Sequence, residues 1–144
     1  MSDEAASAQA SRPLTVINPP ELGTPRGFAH GLLGPPGGRL LFVAGQTAAG
    51  ADGSIAAEGF AEQFEIALAR VLAVLRAAGG RPEHVARMTM YVTSMEEYRA
   101  SRPTLRGIWG RHMGAHYPAM AVVQVTGLVD AGASVEIEAD AVLP

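Results

Sequence analysis

The chain has 144 residues, 48% of them apolar and 17% charged, which fits one globular domain and excludes general disorder. It has no cysteine, and so no disulfide framework, thiol nucleophile or thiolate metal site. Net charge is -3 and all 11 basic residues are arginine, so no lysine is available for a Schiff base and no basic run is available to neutralise nucleic-acid phosphates.

Residues 1–13 are small and polar, with Asp3 and Glu4 near the start. A signal peptide needs a basic start and an apolar centre, so a disordered tail and a cytoplasmic protein are expected. No apolar run approaches the ~20 residues of a membrane helix, so no membrane partner is expected. Leu14 to Ile17 is a short β-type run stopped by Asn18-Pro19-Pro20. Phe28 to Leu33 and Leu40 to Ala44 flank the turn Gly34-Pro35-Pro36-Gly37-Gly38 and predict a β-hairpin. The apolar run of the second strand predicts a central, doubly covered position.

The clearest helix spans 58–78, where Phe60, Phe64, Leu68, Val71, Leu72 and Leu75 recur at three and four residues. Gly79-Gly80 ends it. Arg81 to Val85 reads as one connecting helical turn, and Met88 to Val92 as a strand. Ser94-Met95-Glu96-Glu97 has the spacing of a capping box, but Pro103 divides the reading. Either a short turn ends near Arg99, or Pro103 is the first residue of a helix to about Met113; the second is preferred. Ala119 to Val125 and Ser134 to Val142 are the last strands. The expected architecture is a single α+β domain over 14–144, one mixed sheet with two helices on one face. No helix remains for the other face, which is expected to bury itself against other subunits.

Glu136, Glu138 and Asp140 alternate with Val135, Ile137 and Ala139 and share one strand face. That face is either solvated sheet or the wall of an intersubunit cleft. His112 and His116 are four apart, but Gly114 and Pro118 end the helix between them, so no metal site is expected. Arg99, Arg102 and Arg106 form a stripe, either solvated and paired with Glu96 and Glu97 or anion-binding. No Walker loop, dinucleotide fingerprint or G-x-S-x-G motif is present.

Six short segments, in order, carry a resemblance. They are Ile17-Asn18-Pro19, Leu41-Phe42-Val43-Ala44-Gly45-Gln46, Leu75 to Gly80, Glu83 to Val92, Tyr117-Pro118-Ala119 and Val135-Glu136-Ile137-Glu138-Ala139. The pattern resembles the Rid (reactive intermediate deaminase) family, also called YjgF-like or L-PSP endoribonuclease-like. The resemblance implies a chorismate-mutase-like fold and a homotrimer with a central barrel-like core. It also implies a small-molecule ligand in a cleft between subunits, and hydrolysis of enamines or imines without metal or cofactor.

Position 120 departs from the pattern, because the family's arginine is Met120 here. A thioether cannot grip a carboxylate through two charge-assisted hydrogen bonds as a guanidinium does. Val122 stands where the family often has Cys, Phe28 where it has an aromatic in the loop before the second strand, and Arg102 near its asparagine. The resemblance leaves Glu136 as the catalytic group that holds or deprotonates a water. Phe28, Gly45, Arg102, Met120 and Val122 line the substrate cleft, with Arg26 and His30 as additional polar members. The cleft is more apolar than the family pattern, so a bulkier or less acidic substrate is expected. The alternative is a non-catalytic small-molecule-binding trimer. The ribonuclease of the family's older name ranks behind both, because the chain is acidic and lacks lysine.

Overall fold

The computed structural model describes residues 14–144; the tail expected over 1–13 lies outside the described residues. The strands in chain order are β1 (Thr15–Ile17), β2 (Gly31–Leu33), β3 (Arg39–Gln46), β4 (Val85–Val92), β5 (Ala119–Gln124) and β6 (Val135–Leu143). The helices are α1 (Phe60–Ala77) and α2 (Met95–Met113). The apolar repeat of α1 buries Phe64, Leu68, Val71, Leu72 and Leu75 at 1% exposure or less. The helix stops where Gly79 takes a φ of 84° and the Gly80 N–H donates to the Leu75 carbonyl.

Four strands form a mixed sheet in the order β3-β6-β4-β5. β6 is antiparallel to β3 and β4, while β4 and β5 are parallel and joined by α2 as their crossover. Both helices cover one face. There Val135, Ile137 and Ala139 of β6 and Met88, Met90 and Val92 of β4 join the helical side chains in one core. The alternate β6 residues Glu136, Glu138 and Asp140 are half-buried on the other, open face, as the alternation predicts. One buried polar group ties the loops to this core: Gln63 of α1 donates to the Ala57 and Gly132 carbonyls and accepts from the Ser134 N–H.

Three expectations are corrected. The predicted hairpin does not form: β2 pairs with β1 in a separate two-stranded sheet, and β3 pairs with β6. The Gly-Pro turn reverses the chain, but the partner of β3 arrives from the far end of the sequence. β3 is also an edge strand within one chain, not a central one, with Leu40 68% and Phe42 71% exposed on the open face. Finally, the two readings around Pro103 merge. Ser94 caps α2 by accepting the Glu97 N–H at 3.2 Å, and the helix continues through Pro103. An interior proline costs about 3 kcal/mol. Burial of Leu105, Ile108, Trp109 and Met113 on the same helix, at about 1.5–3 kcal/mol per large side chain, outweighs it.

Candidate functional site

The sequence-predicted site residues fall into three places. The first is the open face beside β3. Val43 pairs with Ala139 and Gln46 with Ile137, so β3 carries a bulge of one extra residue around Gly45. The bulge turns Gly45 toward Glu136: a Cβ there would lie 2.8 Å from the Glu136 Cδ. The missing side chain therefore makes room for the carboxylate and leaves bare backbone beside it. Tyr91 pairs across β4–β6 with Glu136, and its hydroxyl donates to Glu138 Oε1 at 2.6 Å. That bond pushes the phenol above its ordinary value, with burial and the Glu138 charge adding to the effect. Glu138 is thus occupied, whereas Glu136 enters no ion pair among the described residues. Tyr91 was missed in the sequence. The alternation of Arg87, Thr89 and Tyr91 with Met88, Met90 and Val92 was the available signal.

The second place lies across the sheet. Met120 pairs with Met88 and Val122 with Met90, which puts both on the helix-covered side of β5. Val122 packs against the core. Met120 lines a cavity of about 390 Å³ together with Arg26, Arg102, Arg106, Tyr98 and Trp109, among others. Among the described residues the ion pairs are Arg81–Glu83, Arg111–Glu65 and His112–Glu65, so none of these three cavity arginines is paired. The pairing of the arginine stripe with Glu96 and Glu97 is absent. Arg106 and Tyr98 join the site only because α2 runs unbroken from Met95.

The third place holds Phe28, which lines an adjoining cavity of about 510 Å³ with Leu14, Val16 and Met113; Tyr117 lines both cavities. His30 is engaged locally: its backbone N–H donates to Asn18 Oδ1 at 2.8 Å, and its Nε2 lies 3.1 Å from the Gly23 carbonyl oxygen. His112 and His116 point to different partners. His112 Nε2 lies 2.9 Å from Glu65, and His116 Nε2 lies 2.8 Å from the Val85 carbonyl oxygen. The His112 hydrogen bond, followed by that of Arg111, holds the Glu65 carboxyl below its ordinary value.

One chain therefore separates Glu136 and Gly45, near the β3 edge, from Met120 and Arg102, beside the β5 edge. A family model described as Endoribonuclease L-PSP matches residues 31–143. The chain belongs to this family, the YjgF/Rid proteins. The Rid protein YyfB from Yersinia pestis, whose function is unknown, is similar at 32% identity over 91% of this chain and 99% of its own, with a TM-score of 0.77. A member of the highly conserved YjgF family from Mycobacterium tuberculosis matches at 29% identity over 90% of this chain and 99% of its own, with a TM-score of 0.59. TdcF of E. coli, solved with bound serine, matches at 27% identity over 85% of this chain and 92% of its own, with a TM-score of 0.64. No curated protein matches the chain. In this Rid chain, then, the bulged strand and the acidic face of β6 lie inside the matched region, as does the Met120 wall of the second cavity.

Proposed function

We propose that this Rid protein assembles as a homotrimer and hydrolyses a bulky imine or enamine in the clefts between its subunits. The observation that carries the reading is the β3 bulge, which sets the glycine backbone of Gly45 against the carboxylate of Glu136. β3 and β5 are the two edge strands of the four-stranded sheet, and among the described residues the outer side of β5 is bridged only at Ala119, by Ala29. A ring that sets the β3 edge of one copy beside the β5 edge of the next places the Gly45–Glu136 bulge of one copy next to the Met120 wall of the other. The cleft runs round the shared edge, because Glu136 lies on the open face and Met120 on the helix-covered one. The same contact buries Leu40 and Phe42, which lie open in a single chain.

In such a cleft Glu136 accepts a proton from a water as the oxygen bonds to the imine carbon. The nitrogen of the C=N bond takes a proton from solvent, giving a carbinolamine. Collapse of that intermediate forms the carbonyl, breaks the C–N bond and releases ammonia, with Glu136 returning its proton to the leaving nitrogen and the hydroxyl proton passing to solvent. Met120 and the apolar cavity floor accommodate a substrate body larger than that of a serine-derived imine. The printed family description raises RNA cleavage as well. A chain of net charge -3 without lysine, with three acids on its open sheet face, disfavours it.

The test is ammonia release from a panel of imines and enamines generated in place by an amino-acid oxidase or dehydratase. Wild type is expected to turn over the bulky members and to be nearly inert toward 2-aminoacrylate. Glu136→Gln is expected to lose about 100-fold in rate. A wild type that accelerates no member of the panel overturns the reading in favour of a binding protein.

A further inference from the structure

We infer that the cavity walled by Met120 is an amphiphilic-carboxylate site: the apolar body lies on its floor and the carboxylate sits at its mouth, on Arg26, Arg102 and Arg106. The inference takes its reacting group from the hydrolase reading above, and on that reading it names the substrate class. The substrate is an imine or enamine whose carboxylate is separated from the reacting carbon by a bulky apolar body.

The cavity combines two surfaces that one ligand must satisfy. Phe64, Leu105 and Trp109 are buried and Met120 is partly buried, giving an apolar floor. Arg26, Arg102 and Arg106 are exposed, so their charges stand at the mouth. Among the described residues no acidic side chain lines the cavity, and none of the three guanidiniums enters an ion pair. Arg102 and Arg106 are four apart on α2, an arrangement in which like charges destabilise a helix. Arg26, from the loop before β2, adds a third like charge to the same opening. A bound anion removes this repulsion, and the forked guanidinium geometry suits a carboxylate. A small acid reaches the mouth without touching the floor, and a neutral apolar molecule does the reverse.

Trp109 is the only tryptophan of the chain and lines the cavity, so its emission reports occupancy directly. The probes are phenylpropionate, its neutral isostere phenylpropanol, and acetate, titrated into the full-length protein. Phenylpropionate is expected to bind saturably and about tenfold more tightly than phenylpropanol, with acetate silent. Arg102→Gln and Arg106→Gln are each expected to weaken phenylpropionate roughly two- to fivefold and to leave phenylpropanol unchanged. Raised salt is expected to erase the same difference, because the charges are exposed. Arg111→Gln, on the same helix but paired with Glu65, is expected to change nothing. Equal affinity for phenylpropionate and phenylpropanol, indifference to the arginine substitutions, or no binding of either probe overturns the inference.

These outcomes separate from those of the hydrolase reading. Glu136→Gln is expected to retain phenylpropionate binding. Binding by a wild type that releases no ammonia removes the hydrolase reading and keeps the site. Ammonia release that ignores both the carboxylate and the arginines removes the site and keeps the hydrolase reading.

Discussion

The two faces of the four-stranded sheet obey different rules although they share the same strands. Ile137 is fully buried against the helices, while its neighbours Glu136 and Glu138 stay half-exposed on the other side. The covered face is continuous apolar packing, which supplies most of the folding free energy. The open face alternates acids and Tyr91 with the exposed aromatic Phe42, a mixture that contributes little to folding a single chain. Stability is concentrated on one face, which leaves the other free to carry chemistry and assembly contacts.

Two adjacent residues of β3 carry the contrast. Val43 is 5% exposed on the covered face and Phe42 is 71% exposed on the open one. Val43→Asp buries an unpaired charge, costs several kcal/mol and is expected to prevent folding. Phe42→Asp is expected to change the stability of the folded chain by less than about 1 kcal/mol. Its effect should fall on assembly, lowering the mass seen by light scattering from three times 14.9 kDa to the single chain. A Phe42→Asp protein that unfolds as readily as Val43→Asp would show that the two faces are not energetically distinct.

The bulge offers a finer test on the open face alone. In Gly45→Ala the new Cβ meets the Glu136 Cδ at 2.8 Å, so the carboxylate has to move. The side chain is half-exposed, so the cost in stability is expected to stay near 1 kcal/mol. Ammonia release is expected to fall about as far as in Glu136→Gln, roughly 100-fold. Full activity in Gly45→Ala would mean that the Glu136 position is not set by the bulge.

Much of this contrast was legible in the sequence. The alternation of 135–143 sorts Glu136, Glu138 and Asp140 from the core without any tertiary information, and the 3.6-residue repeat of α1 does the same for a helix. The failures share one cause, which is long-range pairing. Gly34 to Gly38 signals a turn but carries no information that β3 pairs with β6. The gathering of Arg26 with Arg102 and Arg106 depends on how the loop before β2 is held at the start of β5, where Ala29 bridges Ala119, and no local pattern encodes that. Nor does alternation within β5 reveal that Met120 and Glu136 face opposite sides, because that follows from the parallel register of Met88 with Met120.

Pro103 sharpens the account of the covered face, since α2 tolerates it only through its buried side. Pro103→Ala restores a helical N–H and removes a penalty of about 3 kcal/mol. The freer unfolded chain returns about 0.4–1 kcal/mol of that. A net gain of about 2–2.6 kcal/mol is expected in denaturant unfolding. A loss of stability instead would show that the proline ring itself packs in a role the helix needs.

The smallest expected effect comes from the one buried histidine on the covered side. His84 is 4% exposed, and its Nδ1 accepts the Arg81 N–H at 2.8 Å. Burial, with the Arg81 charge second, pushes its pKa below the ordinary value of 6.5. Protonation would also place a hydrogen on the nitrogen that now accepts one. The unfolded chain therefore binds the proton more readily than the folded one, so stability rises with pH through this group. Its contribution is fully present above about pH 6.5 and declines as pH falls toward the lowered folded value. Glu65 adds a loss of the same sign, but only below its ordinary value of 4.5, so the two windows separate. Unfolding free energies measured between about pH 7.5 and 5 are expected to fall for wild type and to stay flatter for His84→Asn. Parallel profiles for the two proteins would show that the acid sensitivity does not come from His84.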